Sequence, residues 1–227
     1  MYSTSKYKND ESMNIRIVLA EKQILLRQGL KALIQHAPGL EVVGEAGDGR
    51  KAVTVVGETN PRVVLMDVAM SRLNGIEATR LIKKQHPGTG VLALTEYHEK
   101  RYVYRMLEAG VSGYLLKNTS FQALEQAIRR VAEGGYYFNH DISSLVIQKF
   151  IEHASDEEVS GTATLSNRER EVLQLVAEGR TTKEIAAELG VTRKTVETHR
   201  QTIMNKLDIH NVAALTRFAL QEGVAFL

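Results

Sequence analysis

Four strand ends in the first half of this chain carry residue types that could together handle a phosphoryl group. Glu21 and Lys22 follow the apolar run IRIVLA, Asp67 ends VVLMD, Thr95 ends GVLALT, and Lys117 ends SGYLLK. A carboxylate can attack a phosphoryl donor as a nucleophile. A hydroxyl and an ammonium can then hold the transferred oxygens, because phosphoryl transfer is governed by positioning and charge neutralisation. Taken singly, each is an ordinary strand-end or loop residue. Their significance comes from the shared placement, since open α/β sheets gather function at the carboxyl ends of their strands.

The elements that must position them are legible in the hydrophobic pattern. Strands IRIVLA, LEVVGEA, VVLMD, GVLALT and SGYLLK alternate with amphipathic segments at 23–36, 49–58, 75–86, 99–109 and 120–133. Five strand–helix units predict a doubly wound α/β fold, a five-stranded parallel sheet covered on both faces. Residues 1–13, MYSTSKYKNDESM, are polar and aperiodic, the pattern of a disordered extension. Gly134-Gly135 ends the fifth helix, 142–153 reads as helical, and SDEEVSGTAT reads as a polar connector. The expected organisation is an extension at 1–13, an α/β domain at 14–133, a linker with a helix at 134–163 and a second domain at 164–227.

That second domain reads as all-α, with four helices. Ser166 with Glu169 and Thr181 with Glu184 have the spacing of capping boxes, and Thr192 and Asn211 mark two further starts. Val172, Leu173 and Val176, then Ile185, Ala186 and Leu189, then Val196, Ile203 and Leu207 give each of the first three helices an apolar face. The third helix also has an informative polar side. Lys194, Glu197, Thr198 and Gln201 share it, flanked by Arg193, Arg200 and Lys206. A short helix, the Gly190-Val191 turn and a helix with polar side chains in its first turns make a helix-turn-helix, whose second helix enters the major groove. A bundle with a solvated polar face is the blander alternative; capping, turn and reading face together favour DNA.

Composition sets bounds on these readings. Lys plus Arg number 29 against 27 for Asp plus Glu, so any attraction to phosphates is local to the third helix. There is no cysteine, hence no disulfide and no Cys-based zinc site. The chain has no apolar run of membrane-spanning length and no signal-peptide core, which predicts a cytoplasmic protein without a membrane partner.

The C-terminal stretch, TVETHRQTIMNKL above all, resembles the LuxR-type DNA-binding domain, and residues 14–133 resemble a response-regulator receiver domain. The pair is the arrangement of the NarL/FixJ family. By that resemblance Asp67 is the phosphoacceptor, Thr95 the hydroxyl that follows the incoming phosphoryl group, Lys117 the family's lysine and Tyr114 the aromatic whose rotamer reports activation. Asn74-Gly75 sits at the family's turn before the third helix. Glu197, Thr198 and Gln201 fall at base-reading positions, and Lys183, Thr192, Lys194, Thr195, His199 and Arg200 complete the implied DNA-binding set. The last helix, through Val212, Leu215, Thr216 and Ala219, resembles the element that pairs two such domains. The implied partners are double-stranded palindromic operator DNA, a second copy of the chain and a sensor histidine kinase.

The resemblance also implies Mg²⁺, held by Asp67, the Ala69 carbonyl and an acid after the first strand. Receivers carry two adjacent acids there, and this chain has Glu21-Lys22, an ammonium at the direct-ligand position. Hard dications need oxygen ligands. Two readings stay open: Lys22 points into solvent beside a weakened site, or it reaches Asp67 as a built-in counter-ion. Ser71 and Asn118, where prolines are usual in the family, are lesser departures. The expected function is therefore transcription regulation without enzymatic activity, Mg-dependent phosphorylation being impaired by Lys22. The alternatives are a conventional regulator phosphorylated on Asp67 by a histidine kinase, and a ligand-sensing LuxR-type regulator. A tryptophan-free chain offers the latter little aromatic pocket.

Overall fold

The computed structural model describes residues 14–153 and 164–226. The predicted extension at 1–13 and connector residues 154–163 lie outside the described residues. The first half alternates β1 (Ile15–Ala20), α1 (Ile24–His36), β2 (Leu40–Ala46), α2 (Gly49–Thr59), β3 (Val63–Met66), α3 (Gly75–Gln85), β4 (Gly90–Thr95), α4 (Lys100–Glu108), β5 (Gly113–Leu116) and α5 (Phe121–Ala132). All strand pairings are parallel, in the order β2-β1-β3-β4-β5 followed by β6 (Tyr137–Phe138) at the edge.

Strand alternation divides the interior into two cores. Val18, Ala20, Val64, Met66, Val91, Ala93 and Tyr114 pack toward α2, α3 and α4. Their sequence neighbours Ile17, Leu19, Val63, Leu65, Leu92, Leu94 and Leu115 pack on the other face with α1 and α5. A strand buried on both faces is continuously apolar, and β3 and β4 are buried throughout.

One expectation is corrected here: the sheet has six strands rather than five. Gly134, at φ +86°, ends α5, and the chain then adds β6 (Tyr137–Phe138) alongside β5. The helix α6 (His140–His153) folds back against α4; Ile142 is buried in the receiver-like core, and Leu145 and Val146 pack against it. Much of the stretch expected to be linker is thus part of the α/β body.

The C-terminal part is helical: α7 (Asn167–Ala177), α8 (Thr182–Leu189), α9 (Arg193–Leu207) and α10 (Val212–Gln221). Ser166–Glu169 and Thr181–Glu184 form reciprocal capping boxes, and the Thr192 and Asn211 side chains cap α9 and α10. Each cap satisfies backbone donors that a helix start leaves free. Gly190, at φ +65°, makes the turn between α8 and α9 in a conformation that penalises a Cβ. Val172, Leu173, Ile185, Val196, Ile203, Leu215 and Ala219 fill a core separate from the other two.

Candidate phosphoacceptor pocket and DNA interface

The carboxyl ends of β1, β3, β4 and β5 bring Glu21, Asp67, Thr95 and Lys117 to one end of the sheet. Asp67 is 2% exposed and Glu21 3% exposed. The Lys117 ammonium lies 2.7 Å from Glu21 Oε2 and 3.1 Å from Asp67 Oδ2, so one cation bridges both acids. The contact to Asp67 Oδ2 is ionic, without the alignment of a hydrogen bond. The remaining oxygens are held by backbone: Gln23 N donates to Glu21 Oε1 at 2.7 Å, and Ala69 N to Asp67 Oδ1 at 3.3 Å. Thr95 is fully buried and accepts from Tyr97 N at 3.4 Å. Tyr114 is turned inward, 0% exposed, its hydroxyl donating to Tyr97 O at 2.7 Å.

Burial pushes the Glu21 carboxyl above its usual range, the Asp67 charge adds to this, and Lys117 offsets part of it. For Lys117, burial alone lowers the pKa, but the Glu21 hydrogen bond and the charges of both acids outweigh it, and the net shift is upward. Burial is also the main reason the Tyr114 phenol is raised. The pocket therefore holds an ammonium firmly charged between two acids.

Lys22 is exposed and makes no ion pair among the described residues. The reading in which Lys22 reaches Asp67 is corrected: Lys117 is the counter-ion. It reaches the pocket from the end of β5, whereas Lys22 follows β1 beyond the buried Glu21.

Receiver domains typically bind Mg²⁺. Two carboxylates converge and are already bridged by Lys117, the Ala69 carbonyl is the remaining candidate, and a lysine replaces the third acid. Among the described residues no three His, Cys, Asp or Glu side chains cluster as a metal-binding group. A hard dication binds through several anionic oxygens, and Asp67 and Glu21 are the two carboxylates at hand.

A groove of about 810 Å³ lies at the opposite end of the sheet, lined by Arg16, Arg62, His86 and Arg129 among others. Arg62 donates to Ala132 O and Arg129 to Pro38 O, so these cations satisfy loop and helix-end carbonyls away from the chemistry.

On α9, Lys194, Glu197, Thr198 and Gln201 are all exposed, while Val196 and Ile203 are buried beneath them. Gln201 Nε2 donates to Asn205 Oδ1 and Thr198 Oγ1 to Lys194 O, bonds that hold the side chains along the helix. Thr192 and Thr195 share a hydrogen bond of 2.8 Å at the helix start; His199 is half-buried, and Lys183 on α8 is exposed. Arg200 NH1 reaches Thr182 Oγ1 at 3.3 Å, tying α9 to α8. The basic and polar groups thus stand on one rigid, capped unit.

The pairing residues divide differently. Val212 is 42% exposed and Thr216 half-buried, but Leu215 and Ala219 are 1% and 0% exposed inside the helical core. Leu215 and Ala219 are corrected to core residues: one turn apart, they share the inward side of α10, and a second copy could reach them only by dismantling that core.

Gln174 had no part in the sequence reading and Asn74 entered it only as a turn residue before the third helix, yet they join the two halves of the molecule. Gln174 Oε1 accepts from Asn74 N at 2.9 Å and Asn74 Nδ2 at 3.2 Å. No sequence signal marks a contact spanning 100 positions.

Two family models match: the response regulator receiver domain over residues 17–129, and the bacterial regulatory proteins of the luxR family over residues 163–219. The transcriptional regulatory protein MctR of Rhizobium johnstonii is 36% identical over 94% of this chain and 97% of its own. The transcriptional regulatory protein LiaR of Bacillus subtilis is 37% identical over 86% of this chain and 92% of its own. The crystal structure of a LuxR-family two-component response regulator from Aurantimonas sp. SI85-9A1 matches with a TM-score of 0.57 at 32% identity, covering 61% of this chain and 99% of that one. No helix among the described residues is long and apolar enough to cross a membrane. With a receiver-type pocket, a capped helix-turn-helix and relatives aligned along nearly its whole length, this chain belongs to the response regulators that join a receiver domain to a luxR-family output domain.

Proposed function

We propose that this regulator acts in the cytoplasm, binding double-stranded operator DNA as a homodimer through α9, and that Lys22 impairs Mg-dependent phosphorylation of Asp67. In this reading residues 14–133 form the receiver, extended by β6 and α6, and residues 164–227 the output domain. The observation that carries DNA binding is the exposed row Lys194, Glu197, Thr198 and Gln201 on a helix fixed by caps and core. Such a row reads base edges, while Thr195, His199 and Arg200 face the phosphates.

Within the receiver, Asp67 is the acceptor, Thr95 and Lys117 hold the transferred oxygens, and Tyr114 answers the change of state. Lys117 must then loosen its bridge to Glu21 as charge builds on Asp67. When bound, Mg²⁺ would neutralise phosphoryl oxygens. The lysine at position 22 opposes its binding. Constitutive pairing, a protein partner or a ligand would then set the output. A conventional regulator phosphorylated on Asp67 by a histidine kinase is the second reading; the outward placement of Lys22 favours it, since that side chain leaves the pocket unblocked.

Fluorescence anisotropy with duplexes selected from a random pool tests the DNA assignment. Gln201→Ala and Thr198→Ala should relax sequence preference, at a cost of about 1–3 kcal/mol on the preferred site, whereas Arg200→Ala should weaken all duplexes alike. Unchanged binding in all three variants would refute the docking of α9.

A further inference from the structure

The groove at the end of the sheet away from Asp67 is large enough for a small molecule. Its volume is about 810 Å³, and it runs between the starts of β1 and β3, the turn from α3 to β4 and the end of α5. Hydrogen bonds fix these walls. Arg62 N donates to Arg16 O at 2.8 Å and Gly90 N to Arg62 O at 3.0 Å, which sets β1, β3 and β4 side by side. Thr89 Oγ1 donates to Pro61 O at 3.1 Å, and Lys83 Nζ to Pro87 O and Thr89 O at 3.0 Å each. The fold itself therefore shapes the groove, and a ligand need not order it.

Its charge is the informative part. Helices α2, α3 and α5 end on this side of the sheet, and helix C-termini carry partial negative charge. Several cations answer that bias. Lys83 is taken up by the turn carbonyls. Arg129 donates twice to Glu125 Oε1, at 3.1 and 2.7 Å, and once to Pro38 O, so its charge is matched. Two guanidiniums retain capacity. Arg62 uses Nε on Ala132 O, which leaves its two terminal nitrogens. Arg16 is exposed and makes no side-chain hydrogen bond or ion pair among the described residues. The acidic lining residue, Glu133, lies 3.8 Å from Arg130 and keeps 70% of its side chain in water.

We propose that this groove binds a small organic phosphate of the nucleoside monophosphate kind, with its phosphate on Arg16 and Arg62 and its organic body along Ile15, Pro61 and Pro87. A phosphomonoester carries about two negative charges at neutral pH, which two guanidiniums neutralise through charge-assisted hydrogen bonds. A monoanion leaves one of the two cations unmatched. The apolar lining calls for more than a bare anion, since inorganic phosphate leaves Ile15 and both prolines uncovered. The site is independent of phosphoryl chemistry at Asp67 and of DNA binding through α9, because it lies on neither.

The test titrates the full chain with adenosine 5′-monophosphate, inorganic phosphate and adenosine by calorimetry, and locates the bound monophosphate by hydrogen exchange. Arg16→Gln has no side-chain bond to lose in the free chain, whereas Arg62→Gln also gives up the Ala132 contact. Arg130→Gln, outside the lining, is the control. The monophosphate should bind, with inorganic phosphate about tenfold weaker or more and adenosine weaker still. Added protection should fall on residues 15–17, 61–63 and 87–90. Arg16→Gln should weaken the monophosphate about tenfold or more while the unfolding temperature of the ligand-free chain holds, and Arg130→Gln should stay within about twofold.

A monophosphate that fails to bind, or binds equally well to Arg16→Gln, would overturn the site. Inorganic phosphate matching the monophosphate would overturn the organic body, and adenosine matching it would overturn the phosphate subsite. Protection gained on α9 in place of the groove would show the anion seated on the basic helix of the output domain and would overturn the assignment too.

Discussion

Removing the Lys117 ammonium, as in Lys117→Met, tests the electrostatics of the pocket. Its contacts of 2.7 Å to Glu21 and 3.1 Å to Asp67 correspond to about 6 and about 5 kcal/mol of attraction at an effective dielectric near 20, before desolvation. Desolvating three groups offsets much of that sum. The methionine variant, however, leaves two acids, 4% and 2% exposed at their side chains, with no counter-ion. Breaking a buried ion pair from one side costs about 3–5 kcal/mol. Hydrogen exchange at β1 and β3 amides reads the opening of the receiver separately from the C-terminal helices. Protection there should fall by roughly a hundred- to several-thousand-fold at neutral pH. The sign with pH follows from the orphaned acids. Burial already raises the Glu21 carboxyl and Lys117 offsets part of that, so without Lys117 the deficit is largest at neutral pH and shrinks as acidification protonates Glu21. Adding Asp67→Asn should recover part of the loss by deleting one of the two charges. A deficit under about 1 kcal/mol, or one indifferent to both pH and Asp67→Asn, would refute Lys117 as the structural counter-ion.

Two further outcomes are expected. Burial raises the Glu169 carboxyl, but hydrogen bonds from Lys206 and Ser166 outweigh it and the net shift is downward, so its stabilisation is present above the unfolded value of about 4.3 and lost as pH falls through the folded one; the stability gap between the wild type and Glu169→Gln in denaturant titrations should therefore close with acidification, and a constant gap would be inconsistent. Gly75→Ala would place a Cβ 2.0 Å from Asp67 O, forcing α3 away from the acceptor loop; a loss of about 1–3 kcal/mol in urea unfolding is expected, and a neutral effect would mean this close approach is not maintained.

What was legible in the sequence follows from how local each signal is. The paired strands β1 to β5 and the caps at Ser166, Thr181, Thr192 and Asn211 depend on residues within one turn or one alternation, and the structure places them where the pattern does. β6 has two residues, too few to alternate, and its existence depends on the neighbouring edge of β5. The apolar spacing of Leu215 and Ala219 suits a core face as well as a pairing face; only the tertiary contacts of α10 separate the two. Lys117 as the bridge between Glu21 and Asp67 required three strand ends in space, so Lys22 could not be excluded from that role by order along the chain. Gln174 reads as one polar residue inside an apolar helix until Asn74 stands opposite it.

Whether Asp67 accepts phosphate decides how this regulator is controlled. Wild type and Lys22→Asp should be incubated with a small-molecule phosphoryl donor and increasing Mg²⁺, with Asp67→Asn as the blank, and the phosphorylated fraction read by intact mass. Weak labelling of the wild type with little response to Mg²⁺, and clear Mg-dependent labelling once an acid stands at position 22, is the expected result. Rapid, Mg-dependent labelling of the wild type, unimproved by Lys22→Asp, would contradict it.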